Sequence, residues 1–523
     1  MESGAGTACS ITDDVLKLAV DASLNIGDSI SSSDDQSQSS HTTPVMEPSR
    51  KRSRKQKPTE TPFRAQVRQD GDLLTEELGV LAEQRELIKQ QQELVASMYR
   101  LKSPVQCYAW GKPGSTSEVA NLVAAADPEF KPDNSNTYAE LWMGTHPKAP
   151  CRLISEEGQL LSEFLANNPN VMGRELAAKS SHGRLPFLFK VLSVHKALSI
   201  QVHPTKAQAL RLHAEDPTNY IDPHHKPEIA IALSPFELLC GFRPADQIVR
   251  YIKEIPELFE LVGGLPYKQL SDVVQAGCSA DPKQAKLALK ACFGQLISRP
   301  EPIIQKNLSS LTHRVAIRLT TMDKSDDWYT LCELVIRLNY NYPGDVGCFA
   351  AFFLNHFALQ PGEACFLGPN EPHAYLYGDC VECMACSDNT IRAGLTPKFK
   401  DVNTLLECLT YRMADAQANK FTPSKHPTHP FVTVYDPPVP DFVVHKIDLP
   451  AGSSSCEILP LSTCSILIVI TGSATLVDDG LQTLSRGHVI LIAANHRLAL
   501  NVHSDAHWSA YRAFTDARTL AEL

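Results

Sequence analysis

The chain has 523 residues, 43% hydrophobic and 21% charged, with a formal net charge of -10 at pH 7. That length allows two or three domains, and the acidic balance argues against a nucleic-acid partner. No apolar run approaches the roughly 20 residues that cross a bilayer, and Met1 to Val20 carries acidic residues without the apolar stretch of a secretory signal, so the 15 cysteines, which follow no disulfide spacing, are expected as reduced thiols in a cytoplasmic protein.

Residues 1–72 are rich in Ser, Thr, Asp, Gln and Pro. They cannot bury enough apolar surface to offset the entropy of ordering, so a disordered tail is expected. Inside it, Arg50 to Lys57 is a basic run, read either as a solvated patch or as an import signal or polyanion contact. Over 73–100, apolar pairs recur every seven residues: Leu73/Leu74, Val80/Leu81, Leu87/Ile88 and Leu94/Val95. This stripe predicts one amphipathic helix. Arg85 and Gln92 interrupt a coiled-coil seam, which favours docking onto the body of the protein.

The body opens near Val105, and short strands punctuated by Gly and Pro are expected over 101–246, the first part of a β-barrel. Within it Gln201 and His203 stand two apart, so a strand points both to one face and turns Ile200 and Val202 to the other. Tyr220 to Glu228 is a proline-punctuated loop, and the apolar run Ile229 to Leu233 begins where it ends. Over 247–345 the period becomes helical, in Ile248 to Ile252, Gln284 to Leu296 and Asp327 to Leu338, which predicts an inserted helical domain.

Strands return at Ala358, within the second part of the barrel, 346–430. Here Pro361 to His373 resembles the second metal motif of a cupin barrel, in which Gly and Pro bracket two short strands and a His sits on the inner face. The stretch HAYLYGDCVECMACSDNTIRAGLTPK follows, from His373 to Lys398. It gathers Asp379, Glu382, Asp388, Arg392 and Lys398 close behind His373, more charge than packing alone would use. Cys383 and Cys386 form a lone C-x-x-C and are read as variable positions, not as a zinc or redox site.

Gln201, His203, Glu228 and His373 together offer an amide oxygen, two imidazoles and a carboxylate. That mixed nitrogen and oxygen set, without thiolate, suits a divalent ion with a position open to substrate, and zinc, one per chain, is the expected metal. The last block, 431–523, repeats the motif. Gly487 to Asn495 aligns with Gly362 to Asn370, and His373 then falls opposite Leu498. A degenerate barrel without metal is expected there. The fold class is therefore mainly β: two cupin (jelly-roll) barrels with an inserted α-helical domain, preceded by the disordered tail and one helix.

Tyr220 to Glu228, with His224 where Asn is usual, and His373 to Lys398 are similar to the two signatures of the type I phosphomannose isomerases. Ser199 to Pro204 and Ala139 to Pro147 match that family as well, and the likeness runs from about Val105 to the C-terminus. The resemblance implies a zinc-dependent aldose–ketose isomerase that interconverts mannose 6-phosphate and fructose 6-phosphate and feeds GDP-mannose synthesis. It also implies a catalytic role for Arg392.

Such a reaction moves a proton between C1 and C2 through an enediol. It requires a polarised carbonyl, a stabilised oxyanion, a base and a grip on phosphate. The candidates beside the expected ligands are His225, Lys226, Asp388 and Arg392. A guanidinium is a poor base but a good clamp for an enediolate or a phosphate, which leaves Lys226 and Asp388 as rival proton carriers. Ser199, Lys226 and Lys398 are the donors expected at the phosphate. Tyr375, two residues beyond His373 on one strand face, either hydrogen-bonds the sugar or fills the barrel core. The alternative function is a non-catalytic cupin that binds sugar; it would not need Asp388, Arg392 and Lys398 together. An iron dioxygenase would favour a His-rich set over Gln201. The expected partner is a small sugar phosphate, with no nucleic acid and no membrane, and the expected state is a monomer.

Overall fold

The computed structural model describes residues 98–523 apart from 155–157, 320, 322, 324–326, 478–481, 504 and 523. The expected tail over 1–72, its basic run, and the expected helix as far as residue 97 lie outside the described residues. The end of that helix is a correction. Met98–Lys102 is a strand, antiparallel to Val489–Ile492 on one side and to Arg152–Leu153 on the other. Pairing with a partner far along the chain overrides the local helical composition, as tertiary context commonly does.

The first barrel is built on one long sheet. Its strands run in the order Lys420–Phe421, Ala364–Leu367, Glu228–Ala232, His373–Ala385, Phe187–Val194, Glu140–Gly144 and Val105–Gln106. Phe187–Val194 is buried along its whole length, as an apolar run covered on both faces should be. His373–Ala385 belongs to two halves of the barrel. Its start pairs with Phe236–Phe242 and Ile200–Val202, and its end pairs with Phe187–Val194 and Glu228–Ala232. The change of partner falls at Gly378, which has φ +114°, and a Cβ there would sit 2.4 Å from the Pro235 carbonyl oxygen. Only glycine permits that turn. Ile391–Gly394 adds an outer strand against Ile200–Val202.

Helices Ala245–Glu254, Pro256–Val262, Gly264–Ala276, Pro282–Ile297, Glu301–Leu319 and Asp327–Asn341 lie between Phe236–Phe242 and Leu354–Leu359. Those two strands pair with each other, Phe236 opposite Leu359. The insertion thus leaves and re-enters the barrel at adjacent points, which spares the sheet from distortion. Its core of Leu289, Phe293, Leu308 and Leu311 is continuous with Phe349 and Phe352 at the barrel edge.

The C-terminal unit has the same plan. Its sheet runs Ser424–Lys425, Val432–Tyr435, Val443–Leu449, Trp508–Phe514, Ser465–Thr471, Val489–Ile492, then Met98–Lys102. A four-stranded sheet of Cys456–Ile458, Leu498–Val502, Ser473–Leu476 and Thr483–Ser485 faces it across Leu467, Ile490 and Trp508. Gly362 and Gly487 have φ of 89° and 81°, and Asn370 and Asn495 have φ of 63° and 61°. The same left-handed turns at the same spacing bear out the internal alignment. No described helix is long and apolar enough to cross a membrane.

Candidate active site

The strand positions of the first barrel bring the expected metal ligands together. His203 Nε2 lies 3.4 Å from Glu228 Oε2, and His373 Nε2 lies 3.5 Å from the same oxygen. All three side chains are buried, and their ligand atoms fall within 4.8 Å of one another. No other group of His, Cys, Asp or Glu among the described residues meets that condition, Cys383 and Cys386 included. Gln201 stands opposite His373 in register and lines the same cavity.

Both rings are oriented from behind. His203 Nδ1 bonds the Asn389 carbonyl at 2.8 Å, and His373 Nδ1 bonds the Glu371 carbonyl at 2.9 Å. A carbonyl only accepts, so each Nδ1 carries the proton and each Nε2 presents a lone pair. These two Nε2 atoms and Glu228 Oε2 have no hydrogen-bond partner among the described residues. Three buried acceptors aimed at one point are costly unless a cation is bound there, so the residues fit a divalent metal, and their donor chemistry fits zinc. Burial lowers the His203 pKa to about 4. Burial pushes Glu228 upward, but the carboxyl is held well below its ordinary range, with the Lys226 charge the leading cause.

Glu228 and Gln201 line a cavity of about 500 Å³. A larger cleft, about 790 Å³, lies beside the helical insertion against Arg243, Arg250 and Gln417. It contains none of the ligand candidates, so the smaller cavity is the candidate active site. Lys226 Nζ reaches Glu228 Oε1 at 3.1 Å, the oxygen turned away from the imidazoles. Asp388 lines the wall, with Lys148 Nζ at 2.8 Å and His146 Nε2 at 3.7 Å. Burial acts to raise the Asp388 pKa, but Lys148 and His146 prevail and lower it. Arg392 is opposite Gln201 in register, and its guanidinium forms no ion pair among the described residues. Ser199 and Lys398 also line the cavity, Lys398 at an exposed position.

One expected site residue is placed differently. His225 does not line the cavity; its Nε2 is held by Asp441 Oδ2 at 3.0 Å. Neighbours in an extended loop alternate in direction, so Lys226 faces the metal ligands and His225 faces the C-terminal part of the chain. Tyr375 does line the cavity, but its buried hydroxyl donates to Glu382 Oε1 at 2.8 Å. Its ring packs edge-on to Phe236 at 5.1 Å. The hydroxyl proton is committed to Glu382, while the phenolic oxygen at the cavity wall remains an acceptor.

One part of the wall went unread in the sequence. Lys190 Nζ lies 3.1 Å from Glu382 Oε2, 3.4 Å from Glu140 Oε2 and 5.2 Å from the Trp142 ring. Burial opposes the Lys190 charge, yet Glu140 and Glu382 outweigh it and raise the pKa, while burial raises that of Glu382. The signal was a single Lys within the apolar run Phe187 to Val194 and a single Glu heading Glu140 to Gly144. Charges in covered strands require partners.

Comparisons with known proteins agree with this geometry. Residues 98–245 match the model of the phosphomannose isomerase type I catalytic domain, 266–354 its helical insertion domain, and 433–480 its C-terminal part. The mannose-6-phosphate isomerase of Bos taurus is 44% identical over 411 residues, covering 77% of this chain and 95% of that one. The apo form of mannose 6-phosphate isomerase from Salmonella typhimurium is similar in structure, with a TM-score of 0.64 at 31% identity, over 80% of this chain and 100% of that one. A zinc-bound mannose 6-phosphate isomerase has a TM-score of 0.65 at 31% identity over the same shares, 80% and 100%.

Proposed function

The chain belongs to the type I phosphomannose isomerase family, and we propose that it is a zinc-dependent aldose–ketose isomerase that interconverts mannose 6-phosphate and fructose 6-phosphate by proton transfer through an enediol, supplying GDP-mannose synthesis. The observation that carries this reading is the convergence of His203 Nε2, His373 Nε2 and Glu228 Oε2, buried and without hydrogen-bond partners among the described residues, where Glu228 lines the same cavity as Arg392. One zinc held by these three residues and Gln201 supplies Lewis-acid polarisation of the substrate oxygens.

The protein's own side chains supply the rest. Arg392 meets no carboxylate among the described residues, so its planar fork is available to negative charge developing on the substrate. Asp388, kept ionised by Lys148 and His146, is a proton acceptor on the wall. Lys226 is the rival carrier, one step from the ligand Glu228. Lys398 and Ser199 lie on the cavity lining where a phosphate needs donors. His225 acts at a distance from substrate by tying its loop to Asp441.

The test is conversion of mannose 6-phosphate to fructose 6-phosphate by the zinc-loaded protein. Tight binding of the sugar phosphate without turnover would leave the sugar-binding reading in its place. Isomerisation in deuterated water is expected to place solvent label at the transferred position. Complete exclusion of label supports a hydride shift instead.

A further inference from the structure

The Asp222 carboxylate, which lies outside the ligand set, holds the loop between His373–Ala385 and Ile391–Gly394 together with the His224 carbonyl, which accepts from Ser387 Oγ at 3.0 Å and Asn389 Nδ2 at 2.9 Å. Asp222 Oδ1 accepts from His224 N at 3.0 Å, Ser387 Oγ at 2.8 Å and Asn389 Nδ2 at 3.2 Å. Its Oδ2 accepts from Asp388 N at 2.9 Å. Asn389 Nδ2 also donates to the Asp222 carbonyl at 2.6 Å. Residues 387–390 have no regular secondary structure, so no sheet ladder fixes them, and these bonds take that part.

Two functional positions hang on this loop. Asp388 turns its side chain to Lys148 at the cavity wall. The next residue, Asn389, supplies the carbonyl that orients the His203 ring. Ser387, Asp388 and Asn389 each donate to the same carboxylate, so the place of the acid–base group and the aim of a metal ligand share one anchor.

We propose that Asp222 is a positioning residue for the isomerase reaction, holding the Asp388 carboxylate and the His203 imidazole in register with each other. The proposal rests on the function stated above. A carboxylate is required because donors approach both oxygens. In Asp222→Asn, the amide nitrogen must face a donor. Turned toward Asp388 N, it keeps the three bonds at Oδ1 and sets donor against donor at Asp388. This near-isosteric change therefore acts on the proton carrier. Asn389→Ala keeps the backbone carbonyl but removes its anchor, and therefore acts on His203.

The experiment measures zinc affinity by competition with a chromophoric chelator, together with kcat and KM at saturating zinc and the melting temperature, for wild type and both variants. Partners behind a metal ligand commonly carry 10- to 100-fold effects on affinity or activity, and about that loss is expected here. Asp222→Asn should lose it in kcat, with KM nearly unchanged. Asn389→Ala should lose it in zinc affinity and recover much of its turnover when zinc saturates. A role in loop packing alone would lower the melting temperature and leave zinc affinity and the kcat of folded protein at wild-type values; that result overturns the proposal. If the wild type binds zinc but does not isomerise mannose 6-phosphate, the functional reading fails by itself. Zinc affinity then decides the link to His203: weakened binding in Asn389→Ala supports it, and unchanged binding refutes it.

Discussion

In the first barrel Gln201 faces His373 across a strand pair, and Glu228 faces Leu367. In the second barrel the same two pairings join Ile458 to Leu498 and Ser465 to Ile492. By the same register His203 corresponds to Pro460. The partners Lys190 and Glu382 of the first barrel become His445 and Arg512 in the second. Arg512 is wholly buried, with Nε on Ser465 Oγ at 2.8 Å and Nη1 on the Leu459 carbonyl at 2.5 Å. The strand that carries Arg392 pairs with Ile200–Val202, whereas Cys456–Ile458 has no such second neighbour among the described residues. The scaffold therefore stands without a metal. The second barrel fills the place with apolar side chains, Ser465 and one guanidinium, while the first leaves three acceptors there without partners among the described residues. A departure from good packing confined to one of two equivalent places marks function.

Exchanging residues between the barrels tests this contrast. His373→Leu installs what the second barrel carries, and should abolish zinc binding by the folded protein. A Lewis acid contributes several kcal/mol, so turnover should fall about a thousandfold or more. Near-normal turnover, or zinc retained in elemental analysis, would break the comparison. Arg392→Lys keeps the charge but loses the planar fork. Losing a preorganised donor of this kind costs on the order of a hundredfold in turnover, and zinc content should be preserved because Arg392 is not a ligand.

The second barrel should respond to pH rather than to metal. Burial, then Arg512, lowers the His445 pKa to about 3, against roughly 6.5 in an unfolded chain. Between these values the unfolded chain binds a proton that the folded one refuses. The stability tied to neutral His445 is thus complete above about pH 6.5 and is lost as pH falls toward 3. Urea denaturation of His445→Gln at pH 7 and pH 4 should show a smaller loss than the wild type, by on the order of 3 kcal/mol. Parallel losses would mean that His445 does not resist protonation. Smallest of all is Leu498→His, which places one imidazole opposite Ile458 without companion ligands. Zinc content and turnover should both stay at wild-type values.

The parts legible in the sequence are those whose signals are local. Gln201 lies in the strand Ile200–Val202 and His203 directly follows it, two residues on, and Glu228 heads its strand directly after a proline. The repeat of Gly362 to Asn370 at Gly487 to Asn495 carried the second barrel. What stayed hidden depends on partners remote in sequence. Glu140, Lys190 and Glu382 meet only through sheet pairing. His225 is drawn from the cavity by Asp441, 216 residues away. Met98 to Arg100 take strand form from Ile490 to Ile492. Tyr375 was left open in the sequence because the same strand face serves cavity and core, and in the structure it lines the cavity while donating its hydroxyl to Glu382.

The most direct measurement is a zinc titration of chelator-stripped protein, following formation of fructose 6-phosphate from mannose 6-phosphate. The account predicts negligible turnover in the stripped protein, a linear rise, and a break at one zinc per chain, because only the first barrel keeps the ligand set. Full turnover before zinc is added, or a break at two per chain, would contradict it.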